Sequence, residues 1–189
     1  LLLLQGLEKA GLSEKDVKLV NTKTNETPQV LASGEVAAVA AWQPNAGQAL
    51  HMVPGARPVF TSHEAPGLIY DTIVVDPQSL HDNRDQWKRL VGVWDHVVSY
   101  IKDPKTQPDA LRIMATRTGV SPDIYRRFLK GTHLLTISED KSVFTKKSGL
   151  DSLYGSSSVS DSFNVRYKVY KDPQNVDSYI DPSFVSDVK

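Results

Sequence analysis

Val36-Ala37-Ala38-Val39-Ala40-Ala41-Trp42, followed by Gln43-Pro44-Asn45, is the stretch on which the fold turns. Seven apolar residues without a charge, closed by a proline turn, suit a strand buried on both faces. What precedes them favours the strand. Thr27-Pro28 carries an N-cap residue and a first-turn proline, Val30 and Leu31 follow, and Gly34 stops the helix, so the next apolar run is expected to cross back as a strand. Working outward, Val17-Lys18-Leu19-Val20 reads as another short strand, and so do Val59-Phe60-Thr61 and Thr72-Ile73-Val74-Val75. Leu3, Leu4, Leu7 and Ala10 fall at helical spacing ahead of Gly11, which predicts a helix that has already begun at Leu1, as in a piece of a longer chain.

The pattern changes after Asp76-Pro77. Trp87, Leu90, Val91, Trp94, Val97, Val98 and Ile101 recur at three and four, one stripe of an amphipathic helix that Pro104 ends. Helices are predicted over 108–117 and over 122–130, the second opened by Ser121-Pro122 and closed by Gly131. Val159, Phe163, Tyr167 and Tyr170 suggest a last helix behind a flexible Gly155-Ser156-Ser157-Ser158. Strands alternating with helices, then a helical run, argue for an α/β architecture with parallel strands.

Composition excludes several classes of function. The chain has 189 residues, 22 Lys+Arg and 22 Asp+Glu, which argues against a nucleic-acid surface or a polybasic membrane anchor. With 40% hydrophobic and 23% charged residues it is expected to pack a core. The absence of cysteine removes disulfide scaffolds, thiolate metal sites and thiol nucleophiles. No window approaches the roughly 18 uninterrupted apolar residues of a membrane span, and Leu1 to Leu4 lack the basic flank and cleavage site of a signal peptide.

Catalytic motifs are missing too: no Gly-x-Ser-x-Gly, no Gly-x-Gly-x-x-Gly, no phosphate-binding loop and no His-Glu-x-x-His. His51, His63, His81, His96 and His133 have no metal-ligand spacing, so no metal or cofactor is expected. Ser62-His63-Glu64 contains the residue types of a triad, but sequence neighbours rarely converge on one atom. Asn25-Glu26-Thr27 matches a glycosylation acceptor, a short pattern that chance supplies and that Pro28 follows.

Three features read as a binding site instead. Thr27 at a helix start would lie beside free N–H groups that favour an anion, or would simply cap its own helix. Trp42, Gln43, Pro44 and Asn45 would close a strand at the sheet edge where ligands settle, the Trp face covering apolar ligand parts and the amides hydrogen bonding; Trp42 as ordinary core is the alternative. The loop from Glu64 to Asp71 offers Glu64, Tyr70 and Asp71 on a backbone fixed by Pro66 and Gly67, or is a plain solvent-exposed connection.

The order of segments Leu3-Leu4-x-Gly-Leu-Glu-Lys-Ala-Gly-Leu12, Asp16-Val17-Lys18-Leu19-Val20-Asn21, Leu31-Ala32-Ser33-Gly34-Glu35-Val36-x-Ala38 and Trp42-x-Pro44 resembles the substrate-binding proteins of ABC importers for nitrate, sulfonates and taurine. The likeness continues through Gly55-Ala56-Arg57-Pro58-Val59, Asp71 to Val75, the helix from Trp87 to Ile101 and Val176-Asp177-x-x-x-Asp181-Pro182. Family members usually carry Asp where this chain has Ala37, which puts the local hydrogen bonding in question. The resemblance implies a type II periplasmic-binding-protein fold of two α/β lobes with a hinge, here without its N-terminal portion. Residues 1–60 would be most of lobe two and 61–189 the returning lobe-one segment with C-terminal helices. It implies a small anion or organic solute held in an interlobe cleft and delivered to ABC permease subunits. The protein would then be periplasmic or tethered to the outer face of the cytoplasmic membrane. Two other classes share related folds: pyrimidine-precursor synthases of thiamine biosynthesis, whose motif contains cysteine, and effector-binding lobes of transcription regulators.

Overall fold

The computed structural model describes residues 1–188, and among them every regular element is a helix. By contact density the chain divides into two units, Leu1–Glu64 and Ala65–Lys189.

In the first unit, α1 spans Leu2–Lys9. It ends as the sequence predicts: Gly11 takes φ +73°, its N–H donates to the Glu8 carbonyl at 3.0 Å, and the Leu12 N–H reaches back to the Leu7 carbonyl at 2.8 Å. These are the two closing bonds of a Schellman turn, which a left-handed residue makes possible. A Cβ on Gly6 would lie 3.1 Å from the Phe60 ring, so this face of α1 admits the aromatic because position 6 has no side chain. Helix α2, Thr27–Ala32, is the one that Pro28 and Gly34 signal, and it packs on α3, Asn45–Met52, whose Ala49 is buried.

In the second unit, α4 (Pro77–Asp82) is capped by Asp76, whose carboxylate accepts from the N–H groups of Gln78 and Ser79 at 3.0 Å each. The long α5 (Arg84–Lys102) follows and packs against α4 and α6 (Gln107–Thr118), and α6 packs on α7 (Pro122–Leu129). Helix α8 (Ile137–Val143), α9 (Leu153–Arg166) and the short α10 (Ser183–Asp187) complete the unit. Leu68, Val98, Ile101, Ala110, Leu111, Ala115, Leu153, Phe184 and Val185 supply its buried apolar side chains. Only Val98 and Ile101 of the apolar stripe on α5 are fully buried; Leu90, Trp94 and Val97 stay about 40% exposed.

The α/β expectation is overturned, and with it the two-lobed, hinged type II binding-protein fold, because the described residues contain no strand. Residues 17–20, 36–42, 59–61 and 72–75 join no sheet, and no described backbone group bonds to the main chain of 18–22, 36–41 or 71–75. Strand propensity measures how well a residue suits a paired, half-buried surface more than any preference of the isolated backbone. Without an adjacent strand these apolar runs have no ladder to join; where their ends bond at all, as Trp42 does to Ala46 and Thr61 to Glu64, the partner is a local turn.

The last helix is also displaced from expectation. Gly155-Ser156-Ser157-Ser158 is no flexible lead-in, for it lies inside α9 with Gly155 and Ser156 buried. A Cβ on Gly155 would stand 2.2 Å from the Gly149 carbonyl oxygen, so smallness here serves close packing. Tyr167 and Tyr170 fall beyond the helix end at Arg166.

Candidate functional site

Trp42, Gln43, Pro44 and Asn45 form the turn that starts α3, in place of a turn that ends a strand. The Trp42 carbonyl accepts from the Ala46 N–H at 3.0 Å, and the Gln43 side-chain oxygen accepts from the Gly47 N–H at 3.1 Å. The Pro44 carbonyl takes the Gln48 N–H at 3.1 Å, and the Gln43–Pro44 peptide is cis. The first-turn amides of α3 are therefore largely satisfied by the turn itself, Gln43 acting as the side-chain cap. The indole of Trp42 is left in solvent, 66% exposed, which excludes the core alternative. An exposed Trp face is apolar and carries negative quadrupole density, so it receives an alkyl group or a cationic nitrogen and repels a bare anion.

Thr27 is placed differently. It is buried, the N-cap position falls to Glu26, and the Thr27 hydroxyl donates back to the Thr24 carbonyl at 2.8 Å. Its oxygen closes the preceding 3-10 turn and is turned away from the first-turn amides of α2. Glu64 caps its own turn: its carboxylate accepts from the Thr61 N–H at 2.8 Å and from the Thr61 hydroxyl, and these bonds hold its pKa below the usual carboxylate value. The carboxylate that a Ser62-His63-Glu64 triad would require is thus engaged with Thr61.

Tyr70 and Asp71 belong to the second unit. The Tyr70 hydroxyl donates to the Leu150 carbonyl at 2.9 Å, and burial, with the Asp151 charge second, pushes its pKa up. The same loop is pressed onto the Leu150 segment at Gly67, where φ is +79° and a Cβ would sit 2.0 Å from the Leu150 oxygen. Leu68 is buried beside it, and its carbonyl accepts from Ser156 Oγ at 3.3 Å. The loop from Glu64 to Asp71 is therefore fixed in place by its second half, which separates it from an ordinary exposed connection. Asp71 itself is exposed. Of the eight residues singled out in the sequence, only Trp42 to Asn45 come together as one turn.

A polar cluster that the sequence reading passed over stands at the start of α8. Thr136 and Glu139 form a capping box: the Glu139 carboxylate accepts from the Thr136 N–H at 2.7 Å while Thr136 Oγ1 accepts from the Glu139 N–H at 3.3 Å. Lys102 of α5 donates to Glu139 at 3.1 Å, His133 Nε2 lies 3.0 Å from its other oxygen, and Asp95 of α5 accepts from the Ile137 N–H at 3.1 Å. The bonds from Thr136, then from Lys102 and His133, hold Glu139 down at about 2. Asp140 beside it is half-buried, and desolvation with the charges of Glu139 and Asp95 raises it to about 6. The spacing Thr136-x-x-Glu139 announces such a box and could have located α8. These side chains satisfy one another and fasten α8 to α5. No group of His, Asp or Glu among the described residues is arranged to hold a metal ion, and no helix among them is long and apolar enough to cross a membrane.

No family model, no curated protein and no solved structure matches this chain.

Proposed function

We propose that the chain binds a small organic solute, as the solute-binding component of an ABC importer does, and that Trp42 supplies the contact surface. The observation that carries the reading is the indole of Trp42, two-thirds in solvent on a turn that its own backbone and Gln43 hold rigid. The ordered likeness of segments between Leu3 and Pro182 to importer binding proteins supports it. Because the two-lobed fold is absent, the proposal includes no hinge and no interlobe cleft.

The chemistry of the ring narrows the solute. A face that favours alkyl and cationic groups suits an aliphatic sulfonate lying on its chain, or taurine through its ammonium, ahead of nitrate. Asn45, at the first position of α3, would meet the sulfonate oxygens with its side-chain amide. Delivery to permease subunits would put the protein in the periplasm or on the outer face of the cytoplasmic membrane. Nothing in the geometry speaks for either the synthase or the regulator reading.

The test is titration of an alkanesulfonate, taurine and nitrate into the full chain, followed by calorimetry and by tryptophan fluorescence. Saturable binding of the first two is expected, weakened more than about tenfold by Trp42→Ala, as for a dominant aromatic contact. Absence of binding at millimolar solute, or affinity unchanged in Trp42→Ala, overturns it.

A further inference from the structure

Negative charge gathers in residues 172–188. Asp172, Asp177, Asp181 and Asp187 lie there with no Lys or Arg among them, in a chain whose net charge is zero. The first part of this stretch is fixed to α9, where the buried Asp161 carboxylate accepts from the Gln174 N–H at 2.9 Å and from the Tyr170 hydroxyl at 2.8 Å. Asp181 to Val188 is held differently. Arg84 of α5 donates to Asp181 at 3.5 Å and to Ser183 Oγ, and its guanidinium lies 4.4 Å from the centre of the Phe184 ring. Lys88, one turn further along α5, pairs with Asp187 at 2.7 Å and holds its carboxyl below the usual value. Lys141 of α8 donates to the Val188 carbonyl at 2.9 Å. Within 181–188 only Phe184 and Val185 are buried, and among the described residues no backbone-to-backbone hydrogen bond joins this stretch to another element.

We propose that residues 181–188 form an electrostatically latched strap, which leaves and regains its seat on α5 and α8 as a unit, with ionic strength setting the balance. Three cations from two helices converge on a segment that has none of its own, so their attractions act in one sense. The side chains of both ion pairs are 40–49% exposed, where added salt screens them, and pairs this open contribute little one at a time. Two buried side chains without a backbone ladder are a small hold beside the packed core around Val98, Leu111 and Ala115. A segment with so few buried contacts opens at lower cost than the whole fold, and the Asp161 anchor at Gln174 keeps it close to its seat. Lifting the strap uncovers the seat of Phe184 and Val185, rimmed by Arg84, Lys88 and Lys141. None of these three forms another ion pair among the described residues.

The absence of cysteine makes the latch testable in the full chain. Val185→Cys places a buried thiol in the strap, and Ala115→Cys places one in the core of α6 as a control. Neutral iodoacetamide should label position 185 more than about tenfold faster than position 115, because the strap opens without global unfolding. Raising NaCl from about 10 mM to about 0.5 M should speed labelling at 185 by more than about threefold and leave 115 unchanged. Lys88→Glu should speed it at low salt as well, and adding Asp187→Lys, which restores the pair with its signs exchanged, should recover most of the protection. Equal labelling at 185 and 115, a rate at 185 that salt does not alter, or no recovery in the exchanged pair overturns the proposal. Amide hydrogen exchange of the unaltered chain, comparing 181–188 with Val98 to Ile101 over the same salt range, decides if the variants fail to fold.

Discussion

Gly67 shows how one residue fixes a loop. Its φ of +79° and the 2.0 Å that would separate a Cβ from the Leu150 oxygen leave no position for any side chain. Gly67→Ala is expected to cost more than about 1 kcal/mol, as alanine does where φ is positive, with a further loss from the displaced Leu150 segment. A lowered urea midpoint would show it, and an unchanged midpoint would mean that the loop is not docked. Asp140 and Glu139 act in opposite senses. The Asp140 pKa is raised to about 6, so the folded protein holds that proton longer than the unfolded chain, and stability is lost as pH rises from about 4 through 6. Glu139 is lowered to about 2, so its contribution is present above its ordinary value near 4.5 and is lost as pH falls toward 2. Denaturation midpoints from pH 4 to 7 should therefore decline in the native chain and decline less in Asp140→Asn. A steeper decline in the variant would contradict the placement of Asp140 between Glu139 and Asp95.

Elements were legible in the sequence where chemistry at their ends is local. Gly11, Pro28, Pro104 and Ser121 each mark a helix boundary that the structure has within a residue or two. The stripe from Trp87 to Ile101 is a helix, though three of its seven residues lie open. Helix α8 carried an equally local sign in Thr136-x-x-Glu139, and Thr136→Ala should lower stability by about 0.5–2 kcal/mol, measured by thermal unfolding. No loss there would make the capping box incidental. Helix α3 was hidden because Asn45-Ala46-Gly47 has weak helix propensity and follows an apolar run that resembles a strand; its start is held by a backbone carbonyl and the Gln43 side chain. The strands were not legible because their formation depends on a neighbour, and no single segment records whether one is present. At the candidate site the same limit applied. The sequence left open whether the Trp42 ring is core or surface, and its exposure depended on the absence of a sheet to cover it.

At the scale of the molecule, the described residues of each unit are helical and carry apolar segments that belong to no sheet. This arrangement puts Trp42 in solvent at the head of α3, and the proposed function depends on it. If Val17 to Val20 and Val36 to Trp42 were adjacent strands, Trp42 would return to a strand end and the site would need redrawing. The most direct test is nuclear magnetic resonance of the dilute full chain, reading backbone shifts and cross-strand contacts for residues 17–20, 36–42 and 59–61. The structure predicts helical shifts beginning at Asn45, no cross-strand contacts among those three segments, and a Trp42 indole N–H in fast exchange with water. Cross-strand contacts between Val17–Val20 and Val36–Trp42, with a protected indole, would contradict it.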